Sequence, residues 1–381
     1  MENTNEKYKT TCPLIDNRES LKLIKLESKV YALGIMEYNN NEFIIVGTKS
    51  RKIKIFNNNL DIIVEYDLYD KANGCINYIS HLKNESFVVV CKNIHIFVLY
   101  ENKTSPESGK NLNNYSIELI QSFEVSKYYN LLENLNCNKA FLFNRNIKEN
   151  EENKEDELVI SYSYGIAIFT KYKQKEIKNY NSINNDNYNI KFQLEKWKNN
   201  KYKFSKIIDY KYHYDLIQVN SEYIAGVIKN YLCIYSMNTY QLVTKFEATV
   251  SVGCDYILFM LTEDLICFGG KDKISLLSIK DFDIVLESLI MPKFTITEIC
   301  ILPDYNILIG MTNDDSSEGL EYLYQYKYFY QMNEKTKKME HQIIKMNTKL
   351  LTGNESNVRM RCLSDNRLLT NVDLYNLQIW K

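Results

Sequence analysis

Glycine and proline are scarce in this chain of 381 residues, at 12 and 4. That scarcity excludes a collagen-like or linker-rich protein. Long apolar runs are missing as well. Nowhere do about 18 apolar residues follow one another, so no transmembrane helix is expected. The opening residues, MENTNEKYKTTCPLIDNRES, are polar and hold no apolar stretch of signal-peptide length. The expected address is therefore cytoplasmic or nuclear, without secretion. Neither sign of charge is in excess: 47 Lys and Arg stand against 48 Asp and Glu. That balance argues against a protein dominated by nucleic-acid binding, though a local basic patch remains open. CxxC pairs are absent. Most of the nine cysteines sit singly in apolar runs, as in VVVCKN (Cys91), YLCIYS (Cys233), DLICFGG (Cys267) and EICIL (Cys300). They read as small buried hydrophobes, not as metal or redox groups.

The usual signatures of chemistry are also missing. The chain has no GxxxxGKS/T loop, no GxGxxG, no GxSxG and no HExxH. The four histidines, His81, His95, His213 and His341, are far apart and at no ligand spacing. His95, in NIHIFVLY, alternates with apolar residues and is expected to face out of a strand. TNDDSSEG (312–319) lacks the ligand order of a calcium loop and reads as a solvated hairpin turn. No catalytic residue, metal site or cofactor is expected, and the protein is read as not an enzyme.

What is abundant is strand. Tyr reaches 31, and Tyr and Ile favour pleated sheets. EFIIVGTKSRKIKIFNNNLDIIVEY (42–66) reads as three short strands with tight turns. GGKDKISLLSIKDFDIVLES (269–288) and AGVIKNYLCIYSMNTYQLVTKFE (225–247) repeat its plan. Each copy follows one more apolar strand: VYALGIMEY (30–38), GCDYILFML (253–261) and YDLIQVNS (214–221). The unit is thus four strands. The third-strand ends form a ruler: Phe56, Phe97, Phe169, Tyr235, Leu277, Tyr326 and Trp380. Phe56 to Phe97 spans 41 residues and Tyr235 to Leu277 spans 42. Longer steps contain polar inserts near 101–114, 146–157 and 173–201, rich in Asn, Lys and Glu. These bury too little to order themselves and are expected to be surface loops. Seven units are counted. The last, NVRMRCL, RLLTNVDL and NLQIWK (357–381), lacks a fourth strand, while ESLKLIKLES (19–28) is a strand without a unit. The N-terminal strand is expected to complete the last sheet, after a flexible tail at 1–18.

A period of about 40–45 residues with four strands per unit resembles the WD40-repeat family in a divergent form. LQIWK keeps the family's third-strand Trp with Lys in place of Asp, KIKIFN and LCIYSM put Phe and Tyr there, and no Gly-His pair precedes the first strand. The family's Asp–His–Ser–Trp network therefore does not carry over to most units. The resemblance covers residues 19–381. It implies an all-β fold, a single β-propeller of seven four-stranded blades, closed by pairing of the N-terminal strand with the C-terminal blade.

One segment invites a binding role. KFQLEKWKNNKYKFSK (191–206) interleaves charge and aromatics through Lys196, Trp197, Lys198, Lys201, Tyr202 and Lys203. Such a patch can anchor a protein partner, an anionic membrane or RNA. It also fits an extended hairpin with aromatics inward and lysines solvated. By resemblance, the expected function is a non-catalytic protein–protein interaction platform, a scaffold or adaptor acting as a monomer or as a subunit of a hetero-complex. Two alternatives are a phosphoinositide-binding propeller of the autophagy type and an RNA- or nucleosome-associated propeller. The first lacks its Phe-Arg-Arg-Gly motif, for which VRMRC (358–362) is a poor substitute. Membrane lipid and RNA are not the favoured partners.

Overall fold

The computed structural model describes residues 20–69, 74–83, 85–102, 115–123, 137–144, 154–162, 165–172, 201–209, 213–218, 222–228, 231–247, 257–269, 273–289, 294–302, 306–313, 321–351, 359–373 and 375–380. Among them there are strands and turns and no helix. The strands form seven four-stranded antiparallel sheets, and the fold is an all-β, seven-bladed β-propeller.

Strand β1 (Ser20–Lys25) does not pair with the next strand in the chain. Blade 1 is β2 (Val30–Tyr38), β3 (Asn41–Thr48), β4 (Lys52–Asn57) and β5 (Ile62–Asp67). Blade 2 is β6 (Tyr78–Lys83), β7 (Ser86–Val90), β8 (Ile94–Glu101) and β9 (Tyr115–Phe123). Blade 3 is β10 (Cys137–Asn144), β11 (Lys154–Tyr162), β12 (Gly165–Tyr172) and β13 (Lys203–Asp209). Blade 4 is β14 (His213–Gln218), β15 (Tyr223–Ile228), β16 (Tyr231–Ser236) and β17 (Leu242–Glu247). Blade 5 is β18 (Ile257–Thr262), β19 (Leu265–Gly269), β20 (Lys273–Ser278) and β21 (Asp283–Leu289). Blade 6 is β22 (Phe294–Ile301), β23 (Asn306–Asn313), β24 (Glu321–Met332) and β25 (Met339–Leu351). The last three strands are β26 (Met360–Cys362), β27 (Leu368–Asp373) and β28 (Asn376–Trp380). β1 completes their sheet in the order β1-β28-β27-β26.

Two compact units are present. One contains residues Tyr31–Lys229 and Tyr235–Gln241. Its core joins neighbouring blades: Ile45, Ile53 and Ile55 of blade 1 pack with Ile79, Phe87, Val89 and Phe97 of blade 2. Phe87 stacks on Phe97 at 5.4 Å, and the Tyr66 ring meets Phe97 edge-on at 5.2 Å. Farther along, Val88, Ile94 and Ile96 of blade 2 pack with Leu158, Ile160, Ala167 and Phe169 of blade 3. Alternating side chains supply both faces of the blade 2 sheet, so it shares one core with blade 1 and another with blade 3.

Several described hairpin turns are carried without glycine. Asn39 and Asn40 both have positive φ, at 50° and 59°, and they link β2 to β3 in two residues. Asn tolerates this left-handed backbone, and paired positive φ gives the twist a hairpin needs. The turn before the fourth strand places a bulky residue at positive φ in three repeat copies: Leu60 (59°), Tyr240 (57°) and Phe282 (51°). A large side chain rarely accepts this conformation. Leu60 and Tyr240 are buried, so packing offsets the strain, and the repetition marks a shared turn design.

The other unit contains Met1–Val30, Asn230–Ile234 and Leu242–Lys381. Its core groups Leu265, Cys267, Ile274 and Leu276 of blade 5 with Ile307, Ile309, Tyr324, Tyr326 and Tyr328 of blade 6. A second cluster joins Cys300, Leu308 and Leu323 to Met360 and Leu368. First strands lie side by side here, β18 against β22 and β22 against β26. β1 pairs antiparallel with β28, from Ser20 opposite Trp380 to Lys25 opposite Asn376. The expected union of the two termini in one blade is therefore present. Every residue of the ruler lies in the third strand of its blade.

Two particulars differ from the sequence reading. Strand β11 begins at Lys154, inside the tract read as an insert. Its Glu157 is buried and accepts a hydrogen bond from the Tyr240 hydroxyl. Lys206 lies over that same Tyr240 ring at 3.8 Å. His95 does not face outward. It is fully buried, with Nδ1 at 2.9 Å from Ser122 Oγ. A neighbouring strand supplies the hydroxyl that makes burial of a polar ring acceptable, and no local pattern shows that strand's register. The inserts at 103–114, 145–153 and 173–200 lie outside the described residues.

Candidate functional site

The basic–aromatic segment divides by position. Lys196, Trp197 and Lys198 lie outside the described residues. Lys201 and Lys203 are exposed on either side of Tyr202, which is buried among Leu158, Phe169 and Phe123 just before β13 begins. Gln121 of β9 fixes that turn inward. Its side-chain carbonyl accepts the Tyr202 N–H at 2.9 Å, and its amide donates to the Tyr202 carbonyl at 2.8 Å. Phe204 is part-exposed and meets Phe169 edge-on at 5.7 Å. The tyrosine is thus a core residue, and the described part of the segment that faces solvent is Lys201 with Lys203, Phe204, Ser205 and Lys206.

The arginines of VRMRC are engaged locally. Arg359 Nη1 reaches Glu298 Oε2 at 2.9 Å, and Arg361 Nη1 reaches Oε1 of the same carboxylate at 3.1 Å. Met360 between them is buried, so both arginines project to one side of β26. Glu298 is on the adjacent first strand, β22. This fork ties blade 6 to the sheet that β1 completes, and it occupies the two guanidinium groups with an internal carboxylate.

Among the described residues, one group of exposed large apolar side chains lies on the β24–β25 hairpin. β23 pairs with β24 only as far as Asn306 opposite Lys327, yet β24 runs on to Met332 and β25 returns from Met339. Residues 328–332 and 339–343 therefore form a two-stranded arm. Directly opposed residues share a face, so Met332–Met339, Tyr330–His341 and Tyr328–Ile343 stack along one side. Gln331–Glu340 and Phe329–Gln342 take the other. The apolar face is continuous with the core and then emerges from it. Tyr328 is 9% exposed, Tyr330 56%, Met332 59% and Met339 46%.

The arm is well ordered by its own bonds. The His341 ring lies 4.7 Å from Tyr330 and 6.0 Å from Tyr328, and its Nδ1 is 2.9 Å from the Tyr328 hydroxyl. Burial against these rings holds the imidazole below its ordinary pKa. In the NEKTKK turn, Asn333 Oδ1 accepts the backbone N–H groups of Lys335 at 2.9 Å and Thr336 at 3.3 Å. Glu340 receives Asn333 Nδ2 at 2.6 Å and Thr336 Oγ1 at 2.8 Å, bonds that lower its carboxyl pKa. Lys335, Lys337 and Lys338 point to solvent.

Among the described residues, no three His, Cys, Asp or Glu side chains lie close enough to hold a metal ion, and no helix is long and apolar enough to cross a membrane. Burial pushes the thiols of Cys91 and Cys300 up to about 12, which keeps both protonated. No family model matches the chain, and no curated protein matches it.

Sequence reasoning missed the arm. Its signal was the run YLYQYKYFYQM, in which aromatic residues alternate beyond the length of the strands around it. Its exposure follows from where β23 stops, and that is a property of the sheet.

Proposed function

We propose that this protein is a non-catalytic protein–protein interaction platform of the WD40-like propeller type. One observation carries the reading: the β24–β25 arm lifts Tyr330, Met332 and Met339 out of the core on a hydrogen-bonded support. Large apolar residues grouped on a protruding element mark binding surfaces more often than chance exposure does. Tyr and Met are among the types enriched at protein interfaces. A stiff turn lowers the entropy lost when a partner binds.

The WD40 likeness is supported in the last blade. Trp380 of the third strand donates its indole N–H to Thr370 Oγ1 of the second at 2.9 Å. This is the Trp–hydroxyl part of that family's network. Phe56, Phe97 and Phe169 hold the same place elsewhere and have no N–H to donate. The Arg359–Glu298–Arg361 fork weighs against the phosphoinositide alternative, since both guanidinium groups already face a carboxylate.

Cross-linked affinity purification of the full chain from its native cell tests the reading. A discrete set of proteins at fixed stoichiometry supports it. Recovery of lipid or RNA without stable protein partners overturns it.

A further inference from the structure

We propose that the Tyr330–Met332–Met339 face of the arm docks an extended segment of a partner protein, one that sets large apolar side chains beside Asp or Glu. The inference rests on the platform reading and specifies the chemistry of its partner.

Three observations select this occupant. The first is charge. Glu340 accepts hydrogen bonds from Asn333 and Thr336 within the turn and stays ionised, its carboxyl pKa lowered. The charge at the tip is then Lys335, Lys337 and Lys338 against Glu334 and Glu340, an excess of one positive charge. An acidic segment complements that tip, and a basic one is repelled. The second is sheet geometry. Among the described residues, β23 pairs with β24 no farther than Asn306 opposite Lys327, so no described residue of β23 lies opposite 328–332. An extended chain laid there continues the sheet and places alternate side chains on the Tyr330–Met332 face. The third is rigidity. The Tyr328–His341–Tyr330 stack and the Asn333 turn hold the face in one conformation before binding.

The same observations disfavour other occupants. The leading end of the arm is polar and carries three lysines, while the apolar residues lie behind it on the shaft. Insertion into a bilayer would drive Asn333–Lys338 in first and carry three lysine charges into the hydrocarbon. Contact of this face with its own copy would gather six lysines into one interface, against two copies each of Glu334 and Glu340.

The test pans the full-length protein against a displayed library of random peptides and measures synthetic versions of the winners by fluorescence anisotropy. The expected winners combine large apolar residues with Asp or Glu. Met332→Ser with Met339→Ser should weaken them about tenfold or more, with thermal unfolding unchanged because both side chains are exposed. Lys335→Ser, Lys337→Ser and Lys338→Ser together should flatten the salt dependence of acidic peptides and leave binding of their Asn/Gln versions unmoved. Winners without acidic residues, or binding indifferent to both variants, overturn the proposal. So does sedimentation with phosphatidylserine–phosphatidylcholine vesicles, or concentration-dependent dimerisation, if the methionine variant abolishes it. If the methionine variant retains the whole set of cross-linked protein partners, the platform reading stands and the arm is not its docking face.

Discussion

Gln121 holds Tyr202 by both ends of one peptide residue, accepting its N–H at 2.9 Å and donating to its carbonyl at 2.8 Å across the seam between blades 2 and 3. A side chain on β9 thereby decides that a tyrosine between two exposed lysines points into the core. Gln121→Ala would leave two part-buried backbone groups without these bonds, at about 1–3 kcal/mol. Urea unfolding should show a clearly lower midpoint. Lys201→Ser and Lys203→Ser, at exposed positions, should stay within about 0.5 kcal/mol of wild type. A midpoint for Gln121→Ala equal to that of the lysine variants would refute the clamp.

Gly47 closes a second seam. A Cβ built there meets Ile76 Cγ2 at 2.3 Å and Ile76 Cβ at 2.9 Å, and Ile76 is fully buried. The branched side chain has nowhere to move. Gly47→Ala should destabilise by about 1–3 kcal/mol through overpacking. The double variant Gly47→Ala with Ile76→Ala should unfold at a higher denaturant concentration than the sum of the two single losses predicts. Additive losses would show that the two positions are uncoupled.

The terminal pairing makes a sharp prediction about truncation. β1 covers one edge of β28 from Ser20 to Lys25, and the Leu26 N–H donates to the Tyr375 carbonyl at 2.8 Å. Removing residues 1–15 leaves this strand whole. Removing 1–28 bares the β28 edge, and an open edge invites aggregation. The longer truncation should melt markedly lower and form light-scattering aggregates, as differential scanning calorimetry and scattering would record. Equal melting of the two forms would mean that the strand contributes little to closing the blade.

His341 gives the arm a pH dependence of known sign. Its folded pKa is depressed by burial, so the folded state binds a proton less readily than the unfolded chain. Its stabilisation is complete above the ordinary imidazole value of about 6.5 and is lost as pH falls through the lower, folded value. Amide exchange at 328–332 and 339–343, corrected for its intrinsic pH dependence, should accelerate across that window. His341→Gln should remove the acceleration. Equal protection of the wild-type arm on both sides of the window would exclude the effect.

Much of this architecture was legible in the chain. Four-strand units, their count, the ruler from Phe56 to Trp380 and the shared last blade followed from alternation and spacing, because a strand's side-chain period is local and a repeat multiplies its signal. The local pattern misread His95, since the Ser122 hydroxyl that receives it lies on another strand. It left Tyr202 open between a binding aromatic and one packed inward, because Gln121, which turns it inward, is 81 residues away. The arm shows the division most clearly. The alternation of aromatic residues along 322–332 is a property of the sequence alone, since that pattern belongs to the residues themselves. Only the tertiary structure decided which part of that pattern is covered. Tyr328 and Tyr330 are the same residue type two positions apart, yet one is buried and the other exposed, because β23 ends between blade and arm.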